Sequence, residues 1–444
     1  MGHRQRIKWT GLFLVLLLAW GSMSIPFRQY MAFPSEMRLF SGSWKELRLT
    51  MPVSATAVVA NPRVAAVNRA NESQVRLHLS KPFTLVSKHI GQTQLTLRLF
   101  GMLPVKRMTV SVLPDIRVVP GGQSIGVKMQ SAGAMVVGHH LIRGKEKSPG
   151  ELADIRVGDY ILAMDGEPIH EIGQLAKSVD KAGREGRRIQ VLLARGAAKK
   201  KVFLKPIWDS GEKCYRIGLY IRNSAAGVGT LTFYDPKKKV YGALGHVITD
   251  MDTGQPIAVG GGKIVHSNVT SIQKGANGEP GEKRAIFFRE NQILGTIRHN
   301  TPFGIFGQME REPESNRTVP IALSEEVKEG PAKILTVVEG QKVESYDIEI
   351  VHLIHQKFPA TKGMIIKVTD PRLLNKTGGI VQGMSGSPIL QNGKLVGAVT
   401  HVFVNDPTSG YGTYIEWMLQ DAGVLPSAAS KQSRFFLCKG SNKR

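Results

Sequence analysis

Gly383-Met384-Ser385-Gly386-Ser387-Pro388 is the stretch whose reading decides the fold. A serine stands between two glycines, with a proline three residues on. To its left runs Thr377-Gly378-Gly379-Ile380-Val381-Gln382. To its right Ile389-Leu390 and the apolar run 395–400 are joined by Gln391-Asn392-Gly393-Lys394. Asn-Gly between two apolar runs is a strong hairpin signal. Ser385 is therefore expected on a tight turn that enters a β-hairpin. Glycine on either side lets main-chain N–H groups converge on one point, which is how a nucleophile is displayed on a β scaffold. A bland Gly/Ser surface turn is the competing reading, so the rest of the chain must decide.

Outward from this turn, residues 208–444 read as many short strands with Gly and Pro turns. No strong helical period appears until 415–422. That is the profile of a sandwich or barrel. A serine hydroxyl needs a base, and the base needs a third group to hold it. His246 follows Gly242-Ala243-Leu244-Gly245 at the end of an apolar strand, where small neighbours leave an imidazole open to a cleft. It is the best candidate for the base, and His401 is a candidate for lining the same pocket. Asp370, at the end of the strand 364–368, is the best orienting carboxylate, with Asp250 and Asp252 as alternatives. Ser387 is the rival nucleophile. The order His246, Asp370, Ser385 is that of the chymotrypsin-like triad.

The N-terminus bears on compartment. His3, Arg4, Arg6 and Lys8 precede an apolar run from Trp9 to Ile25. A basic flank followed by a hydrophobic core reads as an export signal, and the lack of an Ala-x-Ala site favours a retained anchor over residues 1–28. The remainder is then exported. The chain of 444 residues is 42% apolar, with 48 glycines and 23 prolines, enough for two to four turn-rich domains. Its formal net charge is +24, but the basic residues are spread along the chain, without a zinc spacing or RNA-binding signature. A basic exterior beside an anionic membrane fits better than nucleic acid. Cys214 and Cys438 give neither a disulfide framework nor a metal cluster, and no metal or cofactor is expected.

Residues 29–115 alternate apolar and polar side chains in several short segments and read as a small β domain. Residues 116–207 form a distinct unit. Gly158-Asp159, Ile161, Met164-Asp165-Gly166 and Ser124-Ile125-Gly126-Val127 resemble a PDZ domain. That resemblance makes Ser124, Ile125, Gly126 and Val127 the candidate loop for a peptide carboxylate, beside a strand edge that pairs with the peptide.

Gly383 to Pro388 further resembles the Gly-Asp-Ser-Gly-Gly-Pro segment of chymotrypsin-like proteases, with Met384 in place of Asp and Ser387 in place of Gly. The resemblance makes the N–H groups of Gly383 and Ser385 the oxyanion hole. Val119-Pro-Gly-Gly-Gln-Ser-Ile-Gly-Val127, Gly242-Ala-Leu-Gly-His-Val-Ile-Thr-Asp250 and 377–412 extend the likeness to the stage IV sporulation protein B family of signalling serine peptidases. This implies a mainly β chain: a membrane anchor, a small β domain, a PDZ domain and a chymotrypsin-like double β-barrel. It implies an endopeptidase exported from the forespore through its inner membrane and released by cutting itself near the N-terminus. It would then cut the regulatory subunit of an intramembrane protease complex to activate a late sigma factor. The PDZ unit would bind peptide segments of the chain itself and of that target. The alternative is a catalytically inactive, PDZ-bearing membrane scaffold.

Overall fold

The computed structural model describes residue 28 and residues 33–426, apart from 50, 71, 143–145, 170, 289–291, 314–315, 355 and 357. The expected anchor thus lies outside the described residues except for Arg28. No helix among the described residues is long and apolar enough to cross a membrane. The chain divides into two compact units that meet in sequence at Ile116 and Arg117.

The first unit contains two sheets. One has the order Glu36–Phe40, Leu103–Leu113, Gly91–Leu99, Ser54–Val59, Gln74–His78, and the other pairs Trp44–Leu47 and Ala65–Val67 on either side of Phe83–Ser87. Alternation sets their core. In Ser54–Val59, Ala55, Ala57 and Val59 are buried, and the residues between them are not. Among the described residues eight strands make up these two sheets.

The second unit is laid out differently from the expected succession of domains. Strand β1 (Ser124–His139) is continuous over sixteen residues. It is followed by β2 (Tyr160–Met164), helix α1 (Ile172–Arg184), β3 (Ile189–Arg195) and β4 (Ala198–Leu204), then by the seventeen-residue β5 (Leu219–Asp235). After these come β6 (Val240–Ala243), β7 (Val259–Gln273), β8 (Glu282–Phe287), β9 (Ile293–Thr301) and β10 (Gly304–Met309). The first half of β1 pairs with β7 on one side and β5 on the other. Further pairings β7–β9, β9–β10, β10–β6 and β6–β5 close a six-stranded ring. The second half of β1 pairs with β2 at Ala134 and Met135, and β2, β3 and β4 follow in order. The PDZ unit is therefore inserted into the first barrel, and β1 and β5 belong to both.

This corrects the boundary at 207 and the assignment of the peptide loop. Ser124, Ile125, Gly126 and Val127 are a barrel strand, all buried, opposite Thr230 to Gly227 on β5. Gly126, which suggested a carboxylate-binding turn, is small for another reason. A Cβ there would lie 2.6 Å from the Phe287 ring. The PDZ motif Gly158-Asp159 also has a structural role. Asp159 is 1% exposed and forms a two-pronged bridge to Arg195 at 2.8 Å through each carboxylate oxygen. Helix α1 has the 3.6-residue period of an amphipathic helix, burying Leu175, Val179 and Ala182 against the PDZ sheet. The outer edge of β1 in this half is filled. Leu219, Tyr220, Ile221 and Arg222 of β5 pair there with His139, Gly138, Val136 and Met135.

The second barrel closes over β11 (Gly330–Val337), β12 (Val343–Leu353), β13 (Met364–Val368), β14 (Pro388–Gln391), β15 (Lys394–Phe403) and β16 (Asp406–Tyr414). Its spatial order is β11-β12-β13-β16-β15-β14. The hairpin read from Asn392-Gly393 is β14–β15, with φ of +51° and +75° at the two turn residues, as a type I′ turn needs. Helix α2 (Pro371–Thr377) was not foreseen. Helix α3 (Ile415–Asp421) was.

Candidate active site

A cleft of about 720 Å³ lies between the barrels. One wall comes from the first barrel, with Val127, Ala225 to Val228, Leu244 and His246 to Thr249. The other comes from the second, with Ile380 to Gly383, Ser385 and Thr400 to Val402. His246 and Ser385 both line it, and so does His401, as expected.

The serine turn is held by the first barrel. The Thr230 hydroxyl donates to the Gly383 carbonyl (2.8 Å), the Thr230 N–H to the Ser385 carbonyl (3.0 Å) and the Thr232 hydroxyl to the Gly386 carbonyl (2.8 Å). Both threonines are fully buried on β5. Each such bond contributes about 1 kcal/mol net. Their larger effect is to fix the turn against a strand of the other barrel. Gly383 and Gly386 take φ of +90° and +94°, which L side chains rarely adopt. The N–H groups of Gly383 and Ser385 donate to no acceptor among the described residues. The intervening Met384 is fully buried. An ionised carboxylate at that position would have to be paired inside the core.

Ser385 is half-buried, and its hydroxyl donates to the Thr400 carbonyl at 2.9 Å. Ser387 is fully buried, with its hydroxyl unpartnered, and it does not line the cleft. The rival nucleophile is thereby set aside. His246 sits after a strained turn. Leu244 has φ +70° and the Gly245 N–H returns to the Ala243 carbonyl, an unusual γ-turn for a non-glycine residue. The imidazole Nδ1–H donates to the Val247 carbonyl at 2.8 Å, which leaves the Nε2 lone pair free. Its ring centroid is 5.2 Å from that of His401. Burial lowers the pKa of His246, against a smaller raising effect of the Val247 carbonyl. His401 is lowered too, first by burial and then by His246 and Lys362. Both rings are neutral near neutral pH, the form a base requires.

The orienting carboxylate is a correction. Asp370 caps helix α2, accepting from the Arg372 N–H at 2.9 Å, and also from the Arg372 guanidinium and the Asp347 N–H. The guanidinium is the chief reason its pKa is held down to about 2. Asp250 is likewise engaged, by Arg222 at 2.5 Å and by Thr253. Among the described residues no carboxylate bonds His246. A strand end before proline is a good place for a buried Asp, but it is equally the N-cap of a helix with Pro at its first position. Asp370→Asn should therefore retain the cap and reduce kcat/KM by less than about tenfold. Asp370→Ala should cost about 1–2 kcal/mol of stability in denaturant melts. A thousandfold rate loss in the Asn variant, with an unchanged melt, would return Asp370 to the catalytic machinery.

Lys283 was not singled out from the sequence. It is 1% exposed on β8, its stem lies against Gly383, and its Nζ donates to the Thr336 hydroxyl at 2.8 Å. Local sequence gives no signal for it, since Glu282, Lys283 and Arg284 are three charged residues in a row. Burial pushes its pKa down to about 7, below the ordinary value of 10.5. Between these values the unfolded chain holds a proton that the folded chain does not, so stability rises with pH across that window. The slope approaches about 1.4 kcal/mol per pH unit. Lys283→Met should lack this component, read as the difference between wild-type and variant denaturant melts at pH 7 and pH 9.5.

Residues 213–419 match the family described as SpoIVB peptidase S55, and residues 142–195 match a PDZ domain. No curated protein matches the chain. Among solved structures, the PDZ domain of the SdrC-like protein from Listeria monocytogenes is 18% identical, covering 20% of this chain and 87% of that one, with a TM-score of 0.17. The inactive form of the Rv3671c protease is 13% identical, covering 44% and 84%, with a TM-score of 0.26. A serine-to-alanine variant of Rv3671c from M. tuberculosis H37Rv gives 13%, 45%, 84% and 0.25. With the serine turn, the neutral histidine and the cleft in place, these family matches make the chain a SpoIVB-like serine endopeptidase of the S55 type that carries a PDZ domain.

Proposed function

We propose that the enzyme cuts peptide bonds by acyl transfer at Ser385. The observation that carries this is the convergence, in one cleft, of a half-buried serine, a neutral imidazole and two N–H groups that donate to no acceptor among the described residues. Ser385 Oγ leaves the Thr400 carbonyl and attacks the peptide carbon as its proton passes to His246 Nε2. The N–H groups of Gly383 and Ser385 take the oxyanion. Collapse breaks the C–N bond, and the Nε2 proton goes to the leaving amine. Water, deprotonated by the same ring, then releases the acyl group. A main-chain carbonyl, Val247, orients the ring in place of a carboxylate. The resting bond to Thr400 is compatible with this scheme, since catalytic hydrogen bonds often form only with substrate bound.

The cleft walls are mostly apolar, through Val127, Val228, Ile248, Ile380, Val381 and Val402. Gly379 offers no acidic subsite, since a Cβ there would lie 2.1 Å from the Pro407 carbonyl. Apolar substrate side chains fit these walls better than basic ones. The family likeness supports an enzyme that first cuts itself near its N-terminus. It then cuts the regulatory subunit of an intramembrane protease complex, in the space between forespore and mother-cell membranes, on the way to late sigma factor activation. Peptide capture by the PDZ unit at β1 requires displacement of Leu219 to Arg222, because that edge is filled by the chain itself. The test is mass spectrometry of the N-terminus of the purified full chain and of Ser385→Ala, with fluorophosphonate labelling. Wild type should be shortened and labelled at Ser385, and the variant intact and unlabelled. Processing of the purified variant would remove Ser385 as nucleophile.

A further inference from the structure

The hairpin joining Gly91–Leu99 to Leu103–Leu113 in the first unit ends in Leu99-Phe100-Gly101-Met102-Leu103. Phe100 is 83% exposed, Met102 82% and Leu103 60%. The Met102 N–H closes on the Leu99 carbonyl at 3.1 Å, and φ is +51° at Phe100 and +75° at Gly101. That is the type I′ pattern, whose first central position is ordinarily Asn, Asp or Gly. A phenylalanine there is both strained and fully offered to solvent, so local folding does not account for it. Basic residues follow directly behind the tip, with Arg98 on one strand and Lys106 and Arg107 on the other. Between residues 73 and 114 the chain has six Lys or Arg and no Asp or Glu.

We propose that this tip inserts into the interfacial region of an anionic lipid bilayer. Phe100, Met102 and Leu103 would enter the headgroup–acyl boundary, with Arg98 and Arg107 against lipid phosphates. Apolar side chains at the end of a hairpin, backed by cations and free of acids, match the two forces that hold a protein at such a surface: burial of apolar area and attraction to anionic headgroups. A protein partner would offer apolar contact but gives no reason for acids to be absent over so long a stretch. Residues 1–28, the sequence expected to reach a bilayer, precede this unit in the chain.

The experiment uses the full chain carrying Ser385→Ala, Cys214→Ser and Cys438→Ser, with Met102→Cys labelled by bimane. The chain is reconstituted in vesicles of phosphatidylcholine with about one third phosphatidylglycerol, as anionic membrane surfaces require. Doxyl lipids near the headgroup should quench the label at least twofold, and the effect should weaken in pure phosphatidylcholine and in high salt. Adding Phe100→Asn and Leu103→Ser should abolish it. Asn suits positive φ, so the melting temperature should hold or rise. Equal quenching with and without Phe100 and Leu103, or none in anionic vesicles, overturns the proposal, and so does protection of the label by a protein alone. Peptide hydrolysis, measured separately on the Phe100→Asn chain with Ser385 intact, should be unchanged. Failure at the membrane therefore leaves the protease reading standing.

Discussion

Replacing Ser385 with alanine is expected to lower peptide hydrolysis by about ten-thousandfold or more while leaving the protein folded. Among the described residues the hydroxyl makes a single hydrogen bond, to the Thr400 carbonyl, so its removal costs about 1 kcal/mol or less. His246→Ala should reach a similar floor, and the double variant should fall little further, because base and nucleophile act as one unit. Ser387→Ala is the contrast. Its hydroxyl is buried without a partner among the described residues, so losing it should preserve activity and leave stability equal or higher. Single-turnover hydrolysis of a peptide library, beside melting curves, separates these outcomes. A Ser385→Ala enzyme with a hundredth of wild-type activity would refute the assignment.

Gly386→Ala is expected to be the most damaging substitution of a single small group in the turn. Its Cβ would lie 2.2 Å from the Thr230 carbonyl oxygen and 2.4 Å from the Leu244 nitrogen, both main-chain atoms of the first barrel. Neither can rotate away, and φ of +94° disfavours any side chain. Overpacking against a fixed backbone together with this strain should cost about 3 kcal/mol. The same Thr230 holds the carbonyls of Gly383 and Ser385, so the displacement reaches the oxyanion site and should cost about a hundredfold or more in kcat/KM. Gly393→Ala, with φ +75° and nothing within 4 Å, has the strain without the clash. It should cost about 1 kcal/mol and leave the rate unchanged.

Much of this site is legible in local sequence, because its signals are local. Glycines flank Ser385 where positive φ is needed, Asn392-Gly393 specifies the hairpin, and the small residues before His246 mark an open strand end. The serine turn, the hairpin and the strand end before His246 stand where those signals put them. Asp370 failed because one local pattern, Asp-Pro after a strand, serves a helix cap as well as a triad. Lys283 was passed over because a lysine on an alternating strand reads as exposed unless its neighbours in space are known.

By itself the sequence determined a β-rich chain with a PDZ unit and a displayed serine, through turn chemistry, period-two alternation and family motifs. Only the tertiary structure decided that β1 and β5 run through both the barrel and the PDZ unit, so that Ser124 to Val127 are a packed strand and no ligand loop. It alone decided that the chain fills its own PDZ edge, and that a carbonyl holds His246. The physical reason is that strand pairing and burial are settled between segments far apart in the chain. A run of small and apolar residues carries the same local preference whether it borders a ligand or, like Gly126, the ring of Phe287.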